Sequence, residues 1–366
     1  MRNTYVENWQ PIKDRFEQWW NRETLDKPLM RIVARGKVRT SGTDKIAAYE
    51  KPKEPKNLYL DIPFIMGEFR NFCETHFFLA DAFPAVDINL GPGSMALYLG
   101  SEPEFAWDTV WYKEKCESPG EFTDLHYDEN NFWWETHQKM LKEAVELSTE
   151  DFYVAIPDII ENLDILSAMR GPQNLCYDIV DEPDAVNEGV KIIDALYFKY
   201  YDRCYDLLKD RDLSSSYTSF NILGQGRVAK IQCDFSALIS PKMFQDYVVP
   251  SLTKQCQNLD HSVYHLDGPD AIKHVPALMQ IKELDALQWT CGAGKPDGGC
   301  EDWYSIYDQV REAGKSLWVS LHDGGPKDWA KSAQRLVKRY GTKGLYFLFP
   351  TFPDMAQAQQ MAALFD

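Results

Sequence analysis

Short runs rich in branched and aromatic residues alternate along this chain with longer stretches of helical period, and that alternation admits few folds. Strands separated by helices cannot close as tight hairpins. They run parallel, with the helices covering the sheet. The apolar runs fall at 29–35, 85–90, 152–157, 217–221, 262–267, 284–291, 316–322 and 344–349. Eight strands with intervening or terminal helices is the count of a (β/α)8 TIM barrel, here preceded by an N-terminal helix. Three helices carry good start signals, at Ser240-Pro241, Gly268-Pro269 and Pro353-Asp354. The connections around strands one to three are longer than a simple crossover requires and imply an enlarged insertion. Within it, residues 110–115 and 121–127 are expected to form a hairpin turning at Ser118-Pro119-Gly120, as a lid, a rim or a subunit contact. No internal repeat or low-complexity linker divides the chain, so residues 1–366 are expected to form one domain.

Composition narrows the function. Of 366 residues 44% are hydrophobic, enough for a sizeable core. The formal net charge of −17, from 56 acidic against 39 basic residues, disfavours nucleic acid and anionic membrane as partners, because both demand clustered cations. A small-molecule substrate is the expected partner. No run reaches the roughly 18 apolar residues of a spanning helix, and residues 1–16 lack an apolar signal core, so a cytoplasmic protein is expected. Eight cysteines stand at irregular spacings without a CxxC pair, which favours free thiols, one or two of them candidate ligands.

A barrel gathers its chemistry at the C-terminal ends of its strands. The richest such end is YHLDGPDAIKH, where His265 and Asp267 share one face and Tyr264 and Leu266 the other. A helix-capping aspartate beside a core histidine is the alternative. The next two strands end in Gln288-Trp289-Thr290-Cys291 and Ser320-Leu321-His322-Asp323, so Cys291 and His322 join His265 and Asp267 as candidate metal ligands. Gln288 and Cys291 alternate in facing, and a buried thiol of purely structural role is the other reading of Cys291. Gln288 and Trp289 are candidate substrate contacts. Asp87 and Asn89 share a face just before the turn GPG, while Asp158 and Asp234 follow strands three and four; Asp87, Asp234 and His322 are further catalytic candidates. Arg31 and Arg35 share a face of the first strand, with Lys37 and Arg39 beyond, and suggest a carboxylate or phosphate grip. Nucleotide hydrolysis is disfavoured, since Pro296 follows Lys295 where a phosphate loop needs Ser or Thr.

The segments QCDFSALISPKMFQDYVVPSLTKQC, YHLDGPDAIKH, LDALQWTCGAG and AGKSLWV together resemble the uroporphyrinogen decarboxylase superfamily, over residues from about Met30 to the C-terminus. The resemblance implies a (β/α)8 barrel with its cleft at the C-terminal face, often in a homodimer. It also implies one of two chemistries. One is decarboxylation of a tetrapyrrole or another acid, to which Arg31, Arg35 and Asp87 would contribute; the histidine expected near the last strand is missing, that region reading GLYFLFPTFP. The other is zinc-assisted methyl transfer to or from a corrinoid carried by a separate protein. In that branch His265 falls on the first residue of a His-x-Cys ligand pair and Asp267 on the second, carboxylate replacing thiolate, with Cys291 or His322 completing the set. Corrinoid-linked methyl transfer is the favoured expectation, decarboxylation the second, and a barrel that only binds a ligand the third.

Overall fold

The computed structural model describes residues 1–37 and 50–366, and Arg39 lies outside them. Thirteen strands are found among the described residues: β1 (Leu29–Arg35), β2 (His76–Ala80), β3 (Ala85–Val86), β4 (Pro103–Phe105), β5 (Val110–Tyr112), β6 (Tyr153–Val154), β7 (Ser214–Tyr217), β8 (Ile222–Gln225), β9 (Val228–Gln232), β10 (His261–Asp267), β11 (Ala286–Thr290), β12 (Ser316–Ser320) and β13 (Leu345–Leu348). Seven form one sheet in the order β2-β1-β13-β12-β11-β10-β9, parallel except for the antiparallel edge strand β2. β3 pairs in parallel with β6. Beside β6, Ile156 N donates to Ser216 O at 2.8 Å, and just past the β1–β2 pairing Asp81 N donates to Met30 O at 3.0 Å. The result is a mixed α/β fold with a mostly parallel central sheet and many flanking helices, compatible with a barrel.

The two faces of this sheet differ in a way that positions the chemistry. Ile231, Tyr264, Leu287, Val319 and Phe347 point to the helices and belong to the main core. The alternate positions Val228, Val263, Ala286, Trp318 and Tyr346 join a second apolar cluster with the helix Trp9–Trp20. That helix is capped by the Asn8 side chain, which accepts from Gln10 N, and it buries Trp9, Ile12, Phe16, Trp19 and Trp20 along one face. Two residues further along each strand the same face turns polar, at Lys230, His265 and Gln288. An aromatic plug therefore closes the N-terminal end of the face, and the C-terminal end is left to polar groups.

Several local expectations change. The fourth strand is not at 217–221: β7 stops at Tyr217, and residues 218–221 form a turn with Asn221 at φ +47°. That turn is driven into the aromatic plug, where Trp318 Nε1 donates to Phe220 O (2.8 Å) and Tyr346 Oη to Asn221 O (2.7 Å). These side-chain donors satisfy carbonyls that could not otherwise be buried. The strand that pairs with β10 is β9, in VAKIQ. The hairpin also differs, since β5 pairs with β4 and Pro119–Asp124 is a 3-10 helix. Pro119 suits the first helical position, and the Glu121 carboxylate accepts the Ser118 N–H at 3.2 Å, so the local chemistry favours a helix start over a strand turn. The starts at Ser240 and Asp354 are as read, with side chains accepting from Met243 N and Gln357 N. After β10 there is only a 3-10 turn, Pro269–His274, and the short helix Val275–Leu278.

One buried ion pair ties the N-terminal helix to the sheet. Arg15 Nε meets Asp81 Oδ1 at 2.6 Å, and Asp81, 2% exposed, also accepts the Met30 N–H at 2.8 Å. Removing the guanidinium strands a buried carboxylate, so Arg15→Met is expected to lower the free energy of unfolding by about 3 kcal/mol in urea titrations at pH 7. An unchanged midpoint would mean that water compensates Asp81.

Candidate active site

β9, β10 and β11 lie side by side in parallel register, with His265 opposite Gln232 on one neighbour and Gln288 on the other. The imidazole is thereby held by its own sheet. His265 Nδ1 contacts Gln288 Oε1, while Gln288 Nε2 donates to Thr290 Oγ1 at 2.9 Å. An amide oxygen only accepts, so the ring proton sits on Nδ1 and Nε2 keeps its lone pair. Burial and the Lys230 ammonium hold the His265 pKa below its ordinary value, against the opposing influence of Gln288, Asp267 and Asp158.

Asp267 ends β10 on the same side, and Asp234 arrives from the 3-10 turn Asp234–Leu238 that follows β9. One ligand atom from each of Asp234, His265 and Asp267 lies within 4.8 Å of the other two. Neither Cys291 nor His322 belongs to this group. Cys291 is buried beyond the end of β11, its thiol pushed up to about 12 by burial and by Asp297 and Asp323. His322 is exposed, its backbone N–H donating to Asp297 Oδ2 (2.6 Å) and its ring 3.3 Å from Ser320 Oγ. Trp289 faces the other way, packed edge-on against Trp303 in the main core with ring centroids 5.2 Å apart.

Beneath the trio lies a charged network that the sequence reading did not assemble. Lys230, its side chain 3% exposed, pairs with Asp158 at 2.7 Å and contacts Gln232 Oε1. Gln232 Nε2 in turn donates to Asp164 (3.0 Å) and Asp234 (2.9 Å), and Asp164 also accepts the N–H groups of Asp234 and Phe235. Glu161 is fully buried, accepts only Gln232 N, and is held well above the usual carboxylate range by burial. Asp234 is exposed at the edge of a recess, where desolvation and the nearby Asp164 raise its pKa to about 7. Asp87 is likewise raised to about 7, by burial and then Asp158, although Asn89 Nδ2 donates to it at 2.6 Å. The alternation V-A-K-I-Q puts Lys230 and Gln232 on one strand face, but a fourth strand at 217–221 leaves both outside the sheet.

The arginines stand apart from this network. Arg31 is largely enclosed, donates to Phe349 O at 3.2 Å, forms no ion pair among the described residues, and has its pKa lowered by burial. Arg35, at the end of β1, is exposed. A cleft of about 420 Å³ opens beside Asp234, walled by β5 and the helix Asn162–Arg170.

With this geometry in view, comparisons add one finding. No family model matches the sequence, and no curated protein does. The chain shares its fold with a solved methyltransferase from Methanosarcina mazei. The likeness has a TM-score of 0.61 and covers 97% of this chain and 98% of that one, at 11% identity. At that identity it is the fold that is shared.

The raised carboxyl of Asp87 makes a stability prediction. Its folded pKa near 7 lies above the unfolded value of about 3.9, so between these limits the folded chain holds a proton that the unfolded chain has lost. The resulting stability is present in full below pH 4 and is lost as pH rises through 7. Asp87→Asn is therefore expected to stabilise the protein by about 4 kcal/mol at pH 8, shrinking to about 1.5 kcal/mol at pH 5. Urea unfolding at the two pH values checks this, and a gain independent of pH would contradict it.

Proposed function

We propose that this chain is a corrinoid-linked methyltransferase of the uroporphyrinogen decarboxylase superfamily, a closed (β/α)8 barrel acting on a small methylated compound with the help of zinc. The observation that carries the reading is the convergence of Asp234, His265 and Asp267 at the polar end of a fold also found in a solved methyltransferase. The donor set fits a divalent cation. One imidazole nitrogen is free with its tautomer set by Gln288, and two carboxylates face it in a region already overloaded with negative charge. Zinc accepts nitrogen and oxygen ligands, although two carboxylates make a harder site than thiolates would.

Bound there, zinc would act as a Lewis acid toward an acceptor thiol or a methoxy leaving oxygen. The chain's own residues do the rest. Gln288 orients the imidazole, Gln232 bridges Asp164 and Asp234, and Lys230 balances Asp158 and Asp87 from below. The corrinoid would arrive on a separate protein docking over the strand ends.

A second reading draws on Arg31. Its guanidinium has no carboxylate partner among the described residues, as a residue gripping a substrate acid would, and that favours decarboxylation of a tetrapyrrole or simpler acid. Metal analysis separates the two. Purified protein is expected to carry one zinc per chain, His265→Ala to lose it, and Gln288→Ala to weaken it by about 10- to 100-fold. Thiol-dependent demethylation of methylcobalamin should follow the metal content. Metal below stoichiometry and indifferent to His265→Ala would remove the methyltransferase reading, and consumption of uroporphyrinogen would support the alternative.

A further inference from the structure

The cleft beside Asp234 has an unusual lining for a site expected to grip an acid. Its lining residues include Trp111, Tyr112 and Phe235 and the acidic Glu114, Asp164 and Asp234, and among the described residues no lysine or arginine lines it. Of the cations nearest in sequence, Lys113 is exposed and outside the lining, and three others are engaged elsewhere. Lys115 Nζ is bonded to Leu99 O at 2.6 Å, Arg170 pairs with Asp178 at 2.8 Å, and Lys230 is held below by Asp158.

The acidic wall groups differ in how they are held. Asp164 is fixed by three N–H donors. Glu114 is exposed and lies against Gly171, whose φ of +86° favours glycine by itself. Tyr112 is anchored by its hydroxyl, which donates to Leu90 O at 2.9 Å. Trp111 is 65% exposed, leaving a large indole surface for a ligand to cover.

Aromatic rings with carboxylates and no counter-cation attract a soft organic cation and repel an anion. We propose that this cleft binds a methylated ammonium ion, held by Trp111, Tyr112, Phe235, Glu114 and Asp164 beside the Asp234–His265–Asp267 group, as the methyl-bearing substrate: a reduced cobalt(I) corrinoid on the docked partner takes the methyl, and the neutral amine leaves with the C–N electron pair. Its role as substrate rests on the methyl-transfer reading; the binding itself does not. A neutral compound of the same shape would keep the apolar contact and lose both the ring–cation and the carboxylate attraction. The substrate class thus departs from the carboxylate or phosphate that Arg31 and Arg35 suggest by themselves.

Isothermal titration of the purified full chain with choline and with its uncharged carbon isostere, 3,3-dimethylbutan-1-ol, tests the assignment directly. Choline is expected to bind at least about tenfold more tightly, and less tightly as salt is raised. Glu114→Gln should weaken choline by roughly threefold to thirtyfold while leaving the isostere unchanged, and Trp111→Ala should weaken choline by a similar factor and the isostere by less, with circular dichroism confirming the fold. Equal affinity for the two ligands overturns the inference, as does a choline affinity indifferent to both substitutions. If zinc and methyl transfer are found without any preference for the cation, this inference alone fails. If choline binds as expected but the protein holds no metal, the cleft assignment stands and the methyltransferase reading falls.

Discussion

The site depends on one imbalance of charge. Asp87, Asp158, Asp164, Glu161, Asp234 and Asp267 gather near the polar ends of the strands, and among the described residues the one ammonium enclosed with them is that of Lys230. Ionised carboxylates brought out of water beside one another repel strongly. The protein answers with the Lys230–Asp158 pair, with amide donors from Gln232 and Asn89, and with backbone N–H groups on Asp164. What remains is visible in Asp87 and Asp234, both raised to about 7. Such a region is poised to take up a cation, and a divalent metal and an organic ammonium would relieve the same repulsion from two sides.

The aromatic plug makes that polar region possible. Trp318, Tyr346, Phe16 and Trp19 close the opposite end of the sheet face, and the 218–221 turn is drawn into them by the Trp318 and Tyr346 donors. With one end sealed by apolar packing, the His265 level is fixed between rigid strands. His265 itself rests 5.6 Å from the Phe220 ring, so the plug is the floor of the candidate site. His265 and Asp267 share one strand and Asp234 opens the turn after its neighbour β9, which leaves the three groups little freedom to misalign.

Much of this was legible beforehand because strands and helices write different periods into a sequence. The runs that became β1, β10, β11, β12 and β13 were read within a few residues, and the two-residue spacing of His265 and Asp267 placed both on one face. The hairpins were not legible in the same way. In 214–232 three short strand-like runs compete, and which of them joins the sheet depends on Lys230 finding Asp158 and on Trp318 finding Phe220 O. Nothing within 214–232 records either partner.

The sequence by itself determined the alternation of elements, the facing of side chains along each strand, and the acidic character of the strand ends, because these follow from local geometry and charge. Only the tertiary structure decided that Asp234 stands with His265 and Asp267 while Cys291 and His322 do not, and that Arg31 is apart from the cleft beside Asp234. Those outcomes turn on how far the chain travels after each strand end before it bends back. That distance is set by packing between segments remote in sequence, which no local pattern encodes.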